Sequence, residues 1–182
     1  MNELRKLSNQ LTLLRIVLVP VLWALAALKM NTAFAIFLLT AGLTDALDGI
    51  AARMQKQKSD FGIWFDSFAD NLVAASAAFW TWLLLPEFVY QNLVIISILV
   101  ALFVLSLSLG FIKYGKMVDY HMYAGKLSAV FLYVFVAHSL LFTANQIFLY
   151  ITAAVIATGL LEEILVTLKY EEFQKDKKSI FS

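Results

Sequence analysis

The chain has 182 residues, 62% of them hydrophobic and only 15% charged, with a mean hydropathy of +0.80. A soluble domain carries about a quarter charged residues and covers its exterior with them, so a water-soluble enzyme is excluded and an all-α integral membrane protein is expected. Fourteen basic against 13 acidic residues leave a formal charge of +1, which gives a nucleic acid nothing to bind, and the absence of cysteine leaves only oxygen or imidazole to hold any metal.

Residues 2–9 place Leu4 and Leu7 at helical spacing with Leu11 and opposite Arg5 and Lys6, the pattern of a short interfacial helix leading into the first span. Apolar windows of about 20 residues, enough to cross a hydrocarbon core of about 30 Å, follow at 11–29, 32–54, 62–86, 88–112, 122–142 and 146–169. They predict six transmembrane helices. The first has the basic flank of a secretory signal, but Arg15 interrupts its apolar core and the run is long for a cleaved segment, so it reads as a retained span. Met30-Asn31, Pro86-Glu87 and Thr143 to Gln146 suit tight helical hairpins. The chain reads as one membrane domain, 1–182, ending in a charged tail at 171–182.

A cytoplasmic N-terminus puts 12 of the 14 basic residues on one side: Arg5, Lys6, Arg53, Lys56, Lys58, Lys113, Lys116, Lys126, Lys169, Lys175, Lys177 and Lys178. Lys29 falls on the other side and Arg15 within the first span. The positive-inside rule therefore predicts a multi-pass protein with both termini cytoplasmic.

Against this apolar background stand Asp45 and Asp48 in the second span, Asp66 and Asp70 in the third, and Glu162 and Glu163 in the sixth. An Asp at mid-membrane costs roughly 2.5–3.5 kcal/mol on insertion scales, so the four aspartates must lie near an end, be paired, or be neutralised. Asp45 and Asp48 are i,i+3 and Asp66 and Asp70 i,i+4, so each pair shares a helix face. The hairpin between these spans brings both pairs to within roughly two to three turns of the cytoplasmic surface. Converging carboxylates in a low-dielectric site cannot all stay ionised without a cation. Oxygen ligands favour Mg2+, Mn2+ or Ca2+ over zinc, and such an ion grips phosphate oxygens. The expectation is phosphate chemistry near the cytoplasmic face.

Gly42, Ala46 and Ala51 read as small residues that let helices pack closely. Gly49 and Gly62 flank the aspartates, where a missing side chain lets a ligand approach the backbone. Arg53 reads either as a positive-inside anchor or as a phosphate-binding guanidinium. A cation transporter is the alternative use of intramembrane carboxylates, but these gather at one surface and no polar path continues to the other.

Taken together, Asp45-Ala46-Leu47-Asp48-Gly49-Ile50-Ala51-Ala52-Arg53, then eight residues to Gly62, then Asp66 and Asp70 at four-residue steps, resembles the signature of the CDP-alcohol phosphatidyltransferase family at all eight defining positions. The resemblance implies a homodimer of six-span bundles in which a CDP-alcohol, here CDP-diacylglycerol, donates its phosphoalcohol group to an acceptor hydroxyl and releases CMP. It implies that Asp45, Asp48 and Asp66 hold Mg2+ or Mn2+ against the pyrophosphate, with Asp70 also near the metal and acting as general base. It further implies that Asp45, Gly49, Ala52, Arg53 and Gly62 surround the nucleotide.

Asn9, Leu11, Thr12, Arg15 and Pro20 are placed as in bacterial phosphatidylglycerophosphate synthases and the related cardiolipin synthases, which implies glycerol 3-phosphate as the acceptor. Ser8 stands where those enzymes usually have Pro, and Asp66 to Asn71 lacks their Pro after the third Asp and Lys after the fourth. Inositol, inositol phosphate, serine and phosphatidylglycerol therefore stay open as acceptors. Lys113, Lys116, His121 and Lys126, around the connection between the fourth and fifth spans, are candidate acceptor-binding residues, though the positive-inside rule accounts for the same charges. His138, towards the outer half of the fifth span, reads as an interhelical hydrogen bonder, and Trp23, Trp64, Trp80 and Trp82 as interface or packing residues.

Overall fold

Apolar runs of this length satisfy their backbone hydrogen bonds within a helix, and helix is the only regular structure among the described residues. The computed structural model describes residues 7–54, 60–115, 122–171 and 179; within these ranges the side chains at 7, 8, 45–54, 60 and 63 fall outside the description. Seven helices lie among the described residues: α1 (Leu7–Ala27), α2 (Asn31–Met54), α3 (Asp60–Leu84), α4 (Pro86–Gln91), α5 (Leu93–Tyr114), α6 (Tyr123–Leu141) and α7 (Gln146–Lys169). Most of the segment expected as an interfacial helix, 1–6, lies outside the described residues, as do 172–178 and 180–182 of the charged tail.

Four of these helices are long and apolar enough to cross a membrane, over Asn9–Ala27, Leu93–Tyr114, Tyr123–Leu141 and Gln146–Lys169. That is the helix complement of a multi-pass membrane protein. α2 contributes a shorter apolar stretch, Asn31–Thr44, and α3 carries Asp66, Asp70 and Asn71 within its length. The segment expected as one span over 88–112 is divided. Pro86, pre-set for the first helical position, starts the short α4, and the chain re-forms as α5 after the buried Asn92, whose Nδ2 donates to the Phe88 carbonyl (2.9 Å).

The chain divides into two compact units, Met1–Leu85 and Pro86–Ser182. In the first, α1 packs against both α2 and α3. Contacts between α1 and α3 advance together along the two helices, Arg15 meeting Asp66 and Asp70, and Trp23 donating to Ser76 Oγ (3.3 Å), so the two run parallel. Trp80 of α3 is fully buried at the far end, edge-on to Phe34 of α2 (5.4 Å between centroids) and Trp23 of α1 (6.0 Å). It is a packing residue, whereas Trp64 and Trp82 are exposed. α1 ends in a Schellman turn: Met30 N–H donates to the Leu25 carbonyl and Lys29 N–H to that of Ala26 (both 3.0 Å), with Lys29 left-handed at φ 53°.

In the second unit α7 is the central helix, packing against α5 and α6. α6 and α7 are antiparallel and cross closely at Gly159. A Cβ there would lie 2.5 Å from Ser128 Oγ and 3.2 Å from the Ala124 carbonyl oxygen. Ser128 Oγ lies within donating distance of the Val155 carbonyl across the interface (3.0 Å) and of the Ala124 carbonyl in its own helix (2.8 Å). At the other end of this pair, Asn92 and Gln146 join their amides reciprocally. His138 packs edge-on to Phe148 (5.4 Å) and against Phe142 (5.2 Å), and its Nδ1 has no hydrogen-bond partner among the described residues. Aromatic packing thus takes the place of the interhelical hydrogen bond expected there.

Candidate active site

α3 turns one stripe inward at a spacing of three to four residues: Asp66, Ala69, Val73, Ala77, Trp80 and Leu84 are buried. Phe61, Trp64, Phe65 and Phe68 form an aromatic ridge on the opposite side, with Phe61 stacked on Phe65 and Trp64 on Phe68. That division puts the aspartates towards the packed side of the helix. Gly62, half-buried, lies one turn before Asp66, and Asp70 one turn after it.

α1 presents a matching stripe. Asn9, Thr12 and Arg15, one turn apart, are all buried, and beyond Arg15 the stripe becomes apolar at Leu18, Val19, Leu22 and Ala26. Arg15 lies about 12 Å along α1, and Asp66 and Asp70 about 9 and 15 Å along α3 from its start, so the parallel helices bring them level. Arg15 NH1 donates to Asp66 Oδ1 (3.2 Å) and also to Asp70 Oδ1. The Arg15 side chain is wholly enclosed, that of Asp66 is 9% exposed and that of Asp70 36%. A buried guanidinium is sustained only by opposite charge within hydrogen-bonding reach. These two carboxylates supply it.

The second aspartate pair sits on α2. Phe34, Ala35, Leu38, Ala41 and Thr44 are its buried stripe, and positions 45, 48, 49 and 52 fall on the continuation of that register. The side chains of Asp45, Asp48, Gly49, Ala52 and Arg53 lie outside the description, as do residues Lys116 and His121 entirely. Among the described residues, no group of three or more His, Cys, Asp or Glu is placed to hold a metal. Asp66 and Asp70 fit a hard divalent cation in two respects: both offer oxygen donors, and their Oδ1 atoms already share one positively charged partner. Asp45 and Asp48 are the residues that would complete such a set.

The remaining candidates lie in the second unit. Lys113 Nζ donates to the Thr167 (2.8 Å) and Leu168 (3.1 Å) carbonyls, closing the C-terminal turn of α7. Beside it, Tyr114 Oη donates to the Tyr170 carbonyl (2.7 Å), and both tyrosines pack around the buried Met122 and Val166. Lys126 is exposed on the first turn of α6. Glu163 accepts from Ser106 Oγ of α5 (3.0 Å) and Glu162 from Ser179 Oγ (2.8 Å), so the two carboxylates turn to different neighbours.

Arg15, part of the N-terminal pattern but not among the residues expected at the aspartates, is the side chain that the structure adds beside them. Its signal was nevertheless present: a charge inside an apolar run needs a partner, and the aspartates of the third span were available. The sequence model of the CDP-alcohol phosphatidyltransferase family matches residues 5–159, a stretch that runs from α1 through Gly159. Neither a curated protein nor a solved structure matches the chain significantly.

Proposed function

The chain belongs to the CDP-alcohol phosphatidyltransferase family and is a transferase of substituted phosphate groups; from that premise we propose that it moves a phosphatidyl group from CDP-diacylglycerol to glycerol 3-phosphate, releasing CMP. The observation that carries the proposal is the joining of Asp66 and Asp70, spaced as the family signature requires, to Arg15 of the N-terminal pattern. The same chemistry with inositol, inositol phosphate, serine or phosphatidylglycerol is the second reading, since the Asp66 to Asn71 segment lacks the Pro and Lys of the glycerophosphate enzymes.

In this reading Asp45, Asp48, Asp66 and Asp70 would hold Mg2+ or Mn2+, which would neutralise charge on the donor's pyrophosphate as its bond breaks and CMP leaves. Asp70, the more open of the two described carboxylates, takes the proton from the acceptor hydroxyl. The hydroxyl oxygen bonds to the lipid-bearing phosphorus, and the bond from that phosphorus to the oxygen retained by CMP breaks. Asp66, almost enclosed, stays fixed. Gly49, Ala52, Arg53 and Gly62 surround the nucleotide, while Lys113, Lys116, His121 and Lys126 supply positive charge for an anionic acceptor. α1, α2, α3, α5, α6 and α7 are the six spans, both termini are cytoplasmic, and the protein is a homodimer.

Purified protein given Mn2+ or Mg2+, CDP-diacylglycerol and each acceptor in turn should release CMP, with phosphatidylglycerophosphate identified by mass spectrometry in the glycerol 3-phosphate arm. CMP release with another acceptor alone moves the assignment to that alcohol. Absence of both CMP release and CDP-lipid binding in folded protein overturns the reading.

A further inference from the structure

An arginine and a carboxylate commonly pair as two parallel forks, two nitrogens to two oxygens of one group. Arg15 is joined differently. Its single NH1 nitrogen meets Oδ1 of Asp66 and Oδ1 of Asp70, one turn apart on α3. That is the arrangement of a bridging cation, and it answers the repulsion that two neighbouring carboxylates would otherwise feel in an enclosed site. The guanidinium closes the site from the α1 side, and Asp70, 36% exposed, is its open edge.

Guanidinium and metal ion would draw on the same two oxygens. We infer that Arg15 is a resident counter-cation: it occupies the metal-binding oxygens of Asp66 and Asp70 while the site is metal-free, and yields them when a divalent ion binds. The inference rests on the reading above that these carboxylates hold metal. Arg15 acts through Asp66 and Asp70, so it is a positioning residue. Its presence holds the two carboxylates at one point and lowers the affinity of the resting protein for the ion.

The test is Mn2+ binding to the metal-stripped, full-length protein in detergent without substrate, with free Mn2+ read from its electron paramagnetic resonance signal. R15Q should bind Mn2+ at least about fivefold more tightly than the parent chain, the lower end of ordinary coupling between two ligands. R15K, whose shorter side chain engages one carboxylate in place of two, should fall between them, and D66N should weaken binding. A merely structural arginine gives the opposite sign, because its loss loosens α1 from α3 and disorders the carboxylates. R15Q binding no more tightly than the parent, with D66N weaker than both, overturns this inference and leaves the metal reading standing. Mn2+ binding that neither D66N nor D70N weakens overturns the metal reading and this inference with it. Should R15Q fail to fold, R15K keeps a positive charge at the junction and decides the sign of the effect alone.

Discussion

Asp66 and Asp70 are separated by a single helical turn yet meet water very differently, at 9% and 36% side-chain exposure. A group that must exchange a proton with a diffusing alcohol needs the open position, and a group that must keep its geometry needs the closed one. Asp70→Asn is accordingly expected to lower kcat by about 10²–10⁴, the usual share of a general base, while equilibrium binding of the CDP-lipid at saturating Mn2+ stays close to that of the parent chain. Measuring CMP release and lipid binding on the same preparation separates the two effects, and equal loss of both would assign Asp70 to donor binding. These aspartates stood out in the sequence because carboxylates at i,i+4 inside an apolar run call for a partner or a cation. Arg15 as their partner did not: its spacing from them, 51 and 55 residues, carries no periodic signal, and only the parallel register of α1 and α3 brings the three level.

Helix boundaries were readable to within a few residues wherever an apolar run ended in polar or turn-forming residues, as at Met30-Asn31 and Thr143 to Gln146. The separation of α4 from α5 was not, because Val89 and Leu93 continue the apolar character across Asn92, and it is the Asn92 side chain, joined to Phe88 and Gln146, that marks the break. Gly159 shows the same limit. Nothing beside it in sequence asks for glycine; the requirement comes from Ser128 and Ala124 on α6. Gly159→Ala should push these helices apart or displace the Ser128 hydroxyl from the Val155 carbonyl, costing about 1–3 kcal/mol as an overpacked contact. A fall in the thermal unfolding midpoint of the detergent-solubilised protein checks this, and combining G159A with Ser128→Ala, which removes the nearest clashing atom, should recover part of the loss.

For the chain as a whole, composition pointed to membrane residence, and the proposed orientation rests on the twelve-to-one distribution of basic residues. The number of crossings depends on α2 and α3, whose polar residues are those assigned to the proposed chemistry. The lack of cysteine makes every introduced thiol unique. In sealed, right-side-out vesicles a membrane-impermeant maleimide should label M30C, E87C and N145C directly, but Q57C and K116C only after permeabilisation. Direct labelling of Q57C would mean that α2 does not cross. The pairing of Arg15 with α3 also has a dimension in time. α1 leaves the ribosome before α3, carrying a guanidinium whose insertion costs roughly 2.5–3.5 kcal/mol at mid-helix, and its described carboxylate partners follow 51 and 55 residues later. At synthesis rates of about 5–20 residues per second, that is a wait of several seconds. Until α3 arrives, the first helix lacks the two carboxylates that Arg15 meets in the folded chain, so this contact between α1 and α3 closes only once the third helix has been made.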